Sequence, residues 1–227
     1  MKSYELLLYA DMFKVIDKMK EKNIVVDAII TDPPYNVSRK SNFHTMGRKG
    51  VDFGEWDKGF DVTGWIKPAL GILKAGGNII IFNDWKNMSY INNELETNKC
   101  LVKEMIQWKK TNPMPRNRDR LYVTSGEYAI WGTKGKGWTF NRQRETYENG
   151  VFTYPLVSNK DRIHPTQKLI SLMEDIIKIH TNEGEIVFDP FGGSFTTSLA
   201  CKNLGRQYIS CDTDKEMVEK AKNRFIS

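Results

Sequence analysis

A chain of 227 residues has room for one domain with a full core and none for a second large domain. Its 40% hydrophobic and 27% charged residues exclude fibrous and disordered classes, and no apolar run approaches the ~18 residues of a membrane span. The first residues lack the basic, apolar, small-residue order of a signal peptide, so the cytoplasm is the expected compartment.

The net charge of +6 names no partner by itself, but it is unevenly placed. Between Lys103 and Arg144 ten Lys/Arg face only Glu104, Asp119 and Glu127. Cys100, Cys201 and Cys211 are too few and too scattered for a disulfide framework or a four-ligand zinc site, and are expected to be buried small hydrophobes.

Short β-type runs alternate with helical patterns. A strand over Leu6–Tyr9 precedes a helix near 11–22 and a buried strand over Val25–Ile30. A helix near 62–74 is expected to stop at Gly76-Gly77 and lead into a central strand at 78–82, followed by a helix near 86–97. Val102–Trp108 reads as a strand. The stretch 111–118 does not form a regular element, because Pro113 and Pro115 remove donors and fix φ, so an exposed basic loop is expected. After a β-rich region at 126–140 and an irregular stretch to about 163, the rhythm resumes: helix 166–180, strand 185–188, helix 196–204, strand 207–211 and a closing helix from 214. Such alternation predicts a mostly parallel α/β sheet with helices on both faces, whose ligands gather beyond the carboxyl ends of the strands.

The sharpest chemical feature sits at such an end: Thr31-Asp32-Pro33-Pro34-Tyr35-Asn36. Consecutive prolines fix two φ angles and bias Asp32 toward extended geometry, so a carboxylate, bare carbonyls and an aromatic ring are held rigidly together. An exocyclic base amine is a poor nucleophile because its lone pair is delocalised into the ring. Acceptors at Asp32 and the Pro33 carbonyl would favour the more tetrahedral nitrogen, while Tyr35 offers a face to an extruded base, a contact worth roughly 1–3 kcal/mol. A strand-ending Pro-Pro turn with a packed tyrosine fits the same residues.

A second strand end, Val187-Phe188-Asp189, runs through Pro190-Phe191-Gly192-Gly193 into a helix opening with Ser194, Thr196 and Thr197. Glycines let backbone approach a ligand and the helix start offers donors to a carboxylate, as the methionine end of S-adenosylmethionine requires. About twenty residues on, Asp212 ends the next strand where nucleotide-binding α/β units place an acid on ribose hydroxyls, although Asp212 or Asp214 equally suits a helix cap. His164-Pro165-Thr166-Gln167-Lys168 opens the expected helix at 166 and reads as an anion site or as a plain helix start.

Together these motifs resemble the β class of amino-methyltransferases of bacterial restriction-modification systems, in which the DPPY motif comes first, a target-recognition segment follows, and the HPTQK and F-x-G-x-G motifs come last. The resemblance spans almost the whole chain. It implies a Rossmann-like S-adenosylmethionine-dependent fold in permuted motif order, with a recognition segment inserted at about 111–162 of the single domain expected over 1–227, while the length and charge of the loop at about 37–58 mark it as mobile. It assigns Asp32, Pro33, Pro34 and Tyr35 to catalysis. It assigns Asp11, Asp32, His164, Thr166, Gln167, Lys168, Asp189, Phe191, Gly193, Ser194, Thr196, Thr197 and Asp212 to the cofactor, with His164 to Lys168 closing over the methionine part. Asp11 suits a helix cap as well.

Phe195 departs from the pattern, which has glycine there. Either the loop swings the ring outward or toward the core, or cofactor affinity falls, leaving a catalytically impaired DNA-binding relative as one reading. Within that family adenine enzymes usually carry Asp and cytosine-N4 enzymes Ser at the first motif position, so the resemblance implies adenine N6, with cytosine N4 the alternative. For double-stranded DNA the candidates are Asn112, Arg116, Arg118, Arg120, Arg142 and Arg144, with Arg39, Lys40 and Arg48 in the long loop. So small a recognition segment points to a homodimer, and any cognate endonuclease would act separately.

Overall fold

The apolar runs at 26–31 and 78–82 are continuous rather than alternating, the pattern of strands covered on both faces. The computed structural model describes residues 3–36, 59–158, 160, 162–164 and 166–225, and bears this out. The chain runs β1 (Glu5–Tyr9), α1 (Met12–Glu21), β2 (Val26–Thr31), α2 (Ile66–Leu70), β3 (Leu73–Asn83), α3 (Met88–Thr97) and β4 (Leu101–Lys110). It continues with β5 (Gly126–Thr133), β6 (Val151–Tyr154), α4 (Ile170–His180), β7 (Ile186–Asp189), α5 (Thr196–Asn203), β8 (Gln207–Asp212) and α6 (Lys215–Arg224).

The strands form one eight-stranded sheet in the order β1-β8-β7-β2-β3-β5-β4-β6, with β5 antiparallel to β3 and β4 and every other pairing parallel. Successive residues of β3 divide between two cores. Ile79 and Ile81 pack with Ile16, Trp65 and Ile91 under α1 to α3, whereas Ile80 and Phe82 pack with Leu172, Ile176 and Ala200 under α4 and α5. The mostly parallel α/β class predicted from the alternation is therefore the observed one. All three cysteines are buried and unpaired by disulfides.

Four expectations differ. The helix over 62–74 shrinks to α2, and Leu73 already pairs with Val26 in the sheet. Gly76-Gly77 does not cap a helix but carries an irregularity of β3, where a Cβ on Gly77 would lie 2.6 Å from the Leu73 side chain. The helix expected from 166 begins at Ile170, so 166–168 is a non-helical approach to it. Within the stretch read as irregular, Val151–Tyr154 forms the edge strand β6 beside β4. The long loop at 37–58, with Arg39, Lys40, His44, Arg48 and Lys49, lies outside the described residues.

Candidate active site

β2 delivers the chain to Asp32-Pro33-Pro34-Tyr35 and β7 delivers it to the glycine turn after Asp189. These strands are paired neighbours, Ala28 beside Val187 and Ile29 beside Phe188, so two motifs far apart in sequence emerge side by side. The Thr31 hydroxyl donates to Asp189 Oδ1 at 2.6 Å and ties the two strand ends together. Burial pushes the Asp189 carboxyl up to about 7.

A cleft of about 2200 Å³ opens over these ends. It is lined by all the residues assigned to catalysis and cofactor: Asp11, Asp32, Pro33, Pro34, Tyr35, His164, Thr166, Gln167, Lys168, Asp189, Phe191, Gly193, Ser194, Thr196, Thr197 and Asp212. Pockets for one small molecule usually measure roughly 300–1,000 Å³, so the cleft has room for more than one.

On the side of the glycine turn the backbone sets the shape. Gly193 has φ +50° and nothing within 4 Å of where a Cβ would stand, so its peptide faces open cleft. Its N–H donates to Asp212 Oδ2 at 2.7 Å, and the Asp214 N–H to Oδ1 at 2.8 Å. Asp214 caps α6 by accepting from the Met217 N–H, so the capping and brace roles fall to different acids. Asp11 does cap α1, accepting from the N–H groups of Phe13 and Lys14, and it lines the cleft as well. Ser194 and Thr196 join their hydroxyls at 2.9 Å. The Asp11 and Asp212 carboxylates, the hydroxyls and the side-chain-free approach at Gly193 form a set that suits S-adenosylmethionine.

Phe195 is resolved by its backbone. It adopts the left-handed conformation, φ 55° and ψ 32°, which glycine tolerates best. That twist turns its fully buried ring away from the cleft onto Val218 and Ala221 of α6, over the face of Gly192. The departure from glycine is thus a core anchor, and the ground for reading the chain as an impaired relative falls away.

On the other side stands a cluster of charges. Lys168 places its ammonium on Asp32 Oδ2 and on Glu127 Oε1, both at 2.5 Å, and 3.1 Å from the Tyr35 hydroxyl. The Tyr35 hydroxyl reaches Asp32 Oδ1 and lies 2.7 Å from Glu127 Oε1. Lys110 meets Glu127 Oε2 at 2.8 Å. Desolvation raises the Asp32 carboxyl above its ordinary value, an effect that Lys168 opposes, whereas Lys168 and Lys110 overcome the desolvation of Glu127 and hold it at about 2. Asn87 donates to the Tyr35 carbonyl at 2.8 Å and to Asn83 Oδ1 at 2.7 Å, bracing the turn.

The expected anion site at 164–168 is corrected in two respects: no helix opens there, and the Lys168 ammonium is committed to Asp32 and Glu127. Gln167 accepts from the Ile163 N–H, and the His164 ring contacts Thr166, while burial lowers the imidazole's proton affinity. Glu127, Lys110, Asn83 and Trp85 also line or build the cleft and were not singled out from the sequence. No local motif marks them.

The basic segment divides. Arg116 and Arg120 line the cleft, beside Met114 and Asn117, and the neighbouring Arg118 side chain is 94% exposed. The Asn112 carboxamide is occupied by the Leu156 N–H at 2.7 Å and holds two loops together. Arg144 instead lines a separate small cavity with Lys103, Glu148 and His180, and Arg142 follows Asn141, which is bonded to the end of α4. Arg142 and Arg144 therefore do not share the cleft. Two of the lysines counted in the basic window are spent internally, Lys110 on Glu127 and Lys134 on the carbonyls of Leu70 and Leu73.

The sequence pattern of a family described as DNA methylase matches residues 26–223. The Type II methyltransferases M2.DpnII of Streptococcus pneumoniae and M2.LlaDCHI of Lactococcus lactis subsp. cremoris are each 32% identical to this chain, covering 99% of it and 90% of their own lengths. Among solved structures, the M1.HpyAVI–S-adenosylmethionine complex superposes with a TM-score of 0.80 at 40% identity, covering 96% of this chain and 98% of that one. The cytosine-N4-specific PvuII DNA methyltransferase shares the fold, with a TM-score of 0.73 at 16% identity over 100% of this chain and 88% of that one.

Proposed function

We propose that this chain, which belongs to the DNA methylase family and is an S-adenosylmethionine-dependent DNA methyltransferase of the restriction-modification kind, methylates the N6 amino group of adenine. The observation that carries this reading is the Asp32 carboxylate, held at a rigid strand end on the lip shared with the glycine turn.

The cofactor supplies an electrophilic methyl carried on a sulfonium. Asp32 and the Pro33 carbonyl accept the two N–H bonds of the target amine, and those bonds strengthen as positive charge builds on the nitrogen. Lys168, paired with Asp32, favours the carboxylate form that can accept. Tyr35 lines the cleft and offers its ring to a base that has left the duplex stack, which costs a few kcal/mol offset by such contacts. Asp212, Asp11 and the Gly193 turn hold the cofactor, with His164 and Thr166 covering it. Arg116 and Arg120 hold the DNA backbone near the cleft, and Arg118 and Asn117 are placed to reach base edges.

The recognition segment is the part of 111–162 that stays with the cleft, chiefly 112–125, set in a single methyltransferase domain. So short a segment favours a homodimer, with a cognate endonuclease as a separate chain and the bacterial cytoplasm as the compartment. No helix among the described residues is long and apolar enough to cross a membrane. Cytosine N4 is the second reading, favoured by the fold shared with a cytosine-N4-specific enzyme.

Labelled S-adenosylmethionine and mixed-sequence DNA, followed by digestion to nucleosides, separate the two. N6-methyladenine is the expected product. N4-methylcytosine replaces the first reading by the second, and an unlabelled digest refutes both.

A further inference from the structure

We infer that Glu127 is a positioning residue for methyl transfer: it is the acceptor to which the Tyr35 hydroxyl turns, and on which the Lys168 ammonium stays, when the target amine takes the Asp32 carboxylate. The inference rests on reading Asp32 as the amine's acceptor.

Four observations support it. Glu127 sits at the start of β5, with its side chain 15% exposed, across the cleft wall from Asp32. Tyr35 and Lys168 each lie within bonding distance of both carboxylates. A tyrosine hydroxyl has a single proton, so it donates to Asp32 or to Glu127 but not to both. Lys110, behind Glu127 at 2.8 Å, keeps that carboxylate charged and fixed.

The arrangement solves a problem of supply. Both Asp32 oxygens are engaged, Oδ1 by Tyr35 and Oδ2 by Lys168. A buried donor cannot release its acceptor without a replacement, because an unsatisfied buried group costs about 1–3 kcal/mol and more when charged. Glu127 is that replacement. With Asp32, Glu127, Lys110 and Lys168 the cluster is also neutral, so its members can exchange partners without exposing net charge.

Facing Asp32 are Lys168 and His164 from the approach to α4, Glu127 from β5, Tyr35 from its own turn and Asp189 from β7, with Lys110 of β4 behind Glu127. His164 and Asp189 are common to every variant below, so differences between variants report on Asp32. Loss of a negative neighbour makes Asp32 easier to ionise, and loss of a positive one makes it harder.

The test is the single-turnover methylation rate against pH at saturating cofactor and DNA. Glu127→Gln should turn over about 10- to 100-fold more slowly at its plateau, the scale of a small misplacement in a preorganised site. Its acid limb should move to lower pH, while Lys168→Met and Lys110→Met move theirs to higher pH. A wild-type rate and limb in Glu127→Gln, or limbs that all move in one direction, would overturn the inference. If Glu127→Gln does not fold, Lys110→Met decides it, since an unmoved limb there is equally fatal. Asp32→Asn separates the two claims: turnover retained in that variant removes the clamp reading itself, whereas a dead Asp32→Asn beside a silent Glu127→Gln removes only the role of Glu127.

Discussion

The two sides of the cleft are built by different means. The side proposed for the cofactor is backbone: a glycine turn braced by Asp212, a hydroxyl pair and a helix start pinned by the buried ring of Phe195. The side proposed for catalysis is side chain, a neutral network of Asp32, Glu127, Lys110, Lys168 and Tyr35 drawn from four separate segments. Backbone geometry tolerates a changed side chain if the new one can turn away, as Phe195 does. A charge network tolerates almost nothing, because each lost member leaves a buried charge uncompensated.

The largest expected effect lies on the network side. Asp32→Ala should lower turnover by at least about 10²- to 10³-fold, the usual cost of one transition-state hydrogen-bonding partner, while calorimetry finds the S-adenosylmethionine affinity nearly unchanged. Loss of cofactor binding in that variant would show that the two sides are not separable.

Next comes the anchor. Phe195→Gly relieves a left-handed backbone worth about 1–3 kcal/mol but removes a buried ring worth about 3–5, so a net destabilisation of about 2 kcal/mol is expected by denaturant melts. The folded fraction should bind cofactor as the parent does, because the ring does not line the cleft. A stabilised variant with altered affinity would return Phe195 to the pocket.

The split of the basic segment gives a smaller effect. Arg116→Ala should weaken DNA binding and reduce the slope of log K against log salt by about 0.9, one phosphate contact's worth, whereas Arg142→Ala leaves the slope as it was. Equal effects would extend the DNA contact beyond the cleft to Arg142.

The smallest is a pH effect where the two sides meet. Burial raises the Asp189 carboxyl from 3.8 to about 7, so the folded chain holds that proton more tightly than the unfolded one. Stability from this group is full below 3.8 and is lost as pH rises through 7. Asn cannot ionise and keeps an acceptor for Thr31, so the melting temperature of Asp189→Asn relative to the parent should climb by a few degrees between pH 5 and pH 8. A constant difference would mean that Asp189 is charged throughout.

What could be read from the sequence was what depends on near neighbours. The continuous apolar run of β2, the φ-fixing Pro33-Pro34 and the Gly192-Gly193 turn each carry their geometry in a few consecutive residues, and together they placed both motifs at strand ends. Even locally the reading had limits: Gly76-Gly77 looked like a helix stop and serves a strand, because the partner at Val26 decides where β3 begins. The rest required the sheet order. Only the pairing of β2 with β7 brings Asp32 beside Asp189, only the antiparallel course of β5 delivers Glu127 to Lys168, and only α6 gives the Phe195 ring somewhere to go. Neither Glu127 nor Lys110 has a motif, because a long-range ion pair is specified by where two strands end and not by the residues on either side of it.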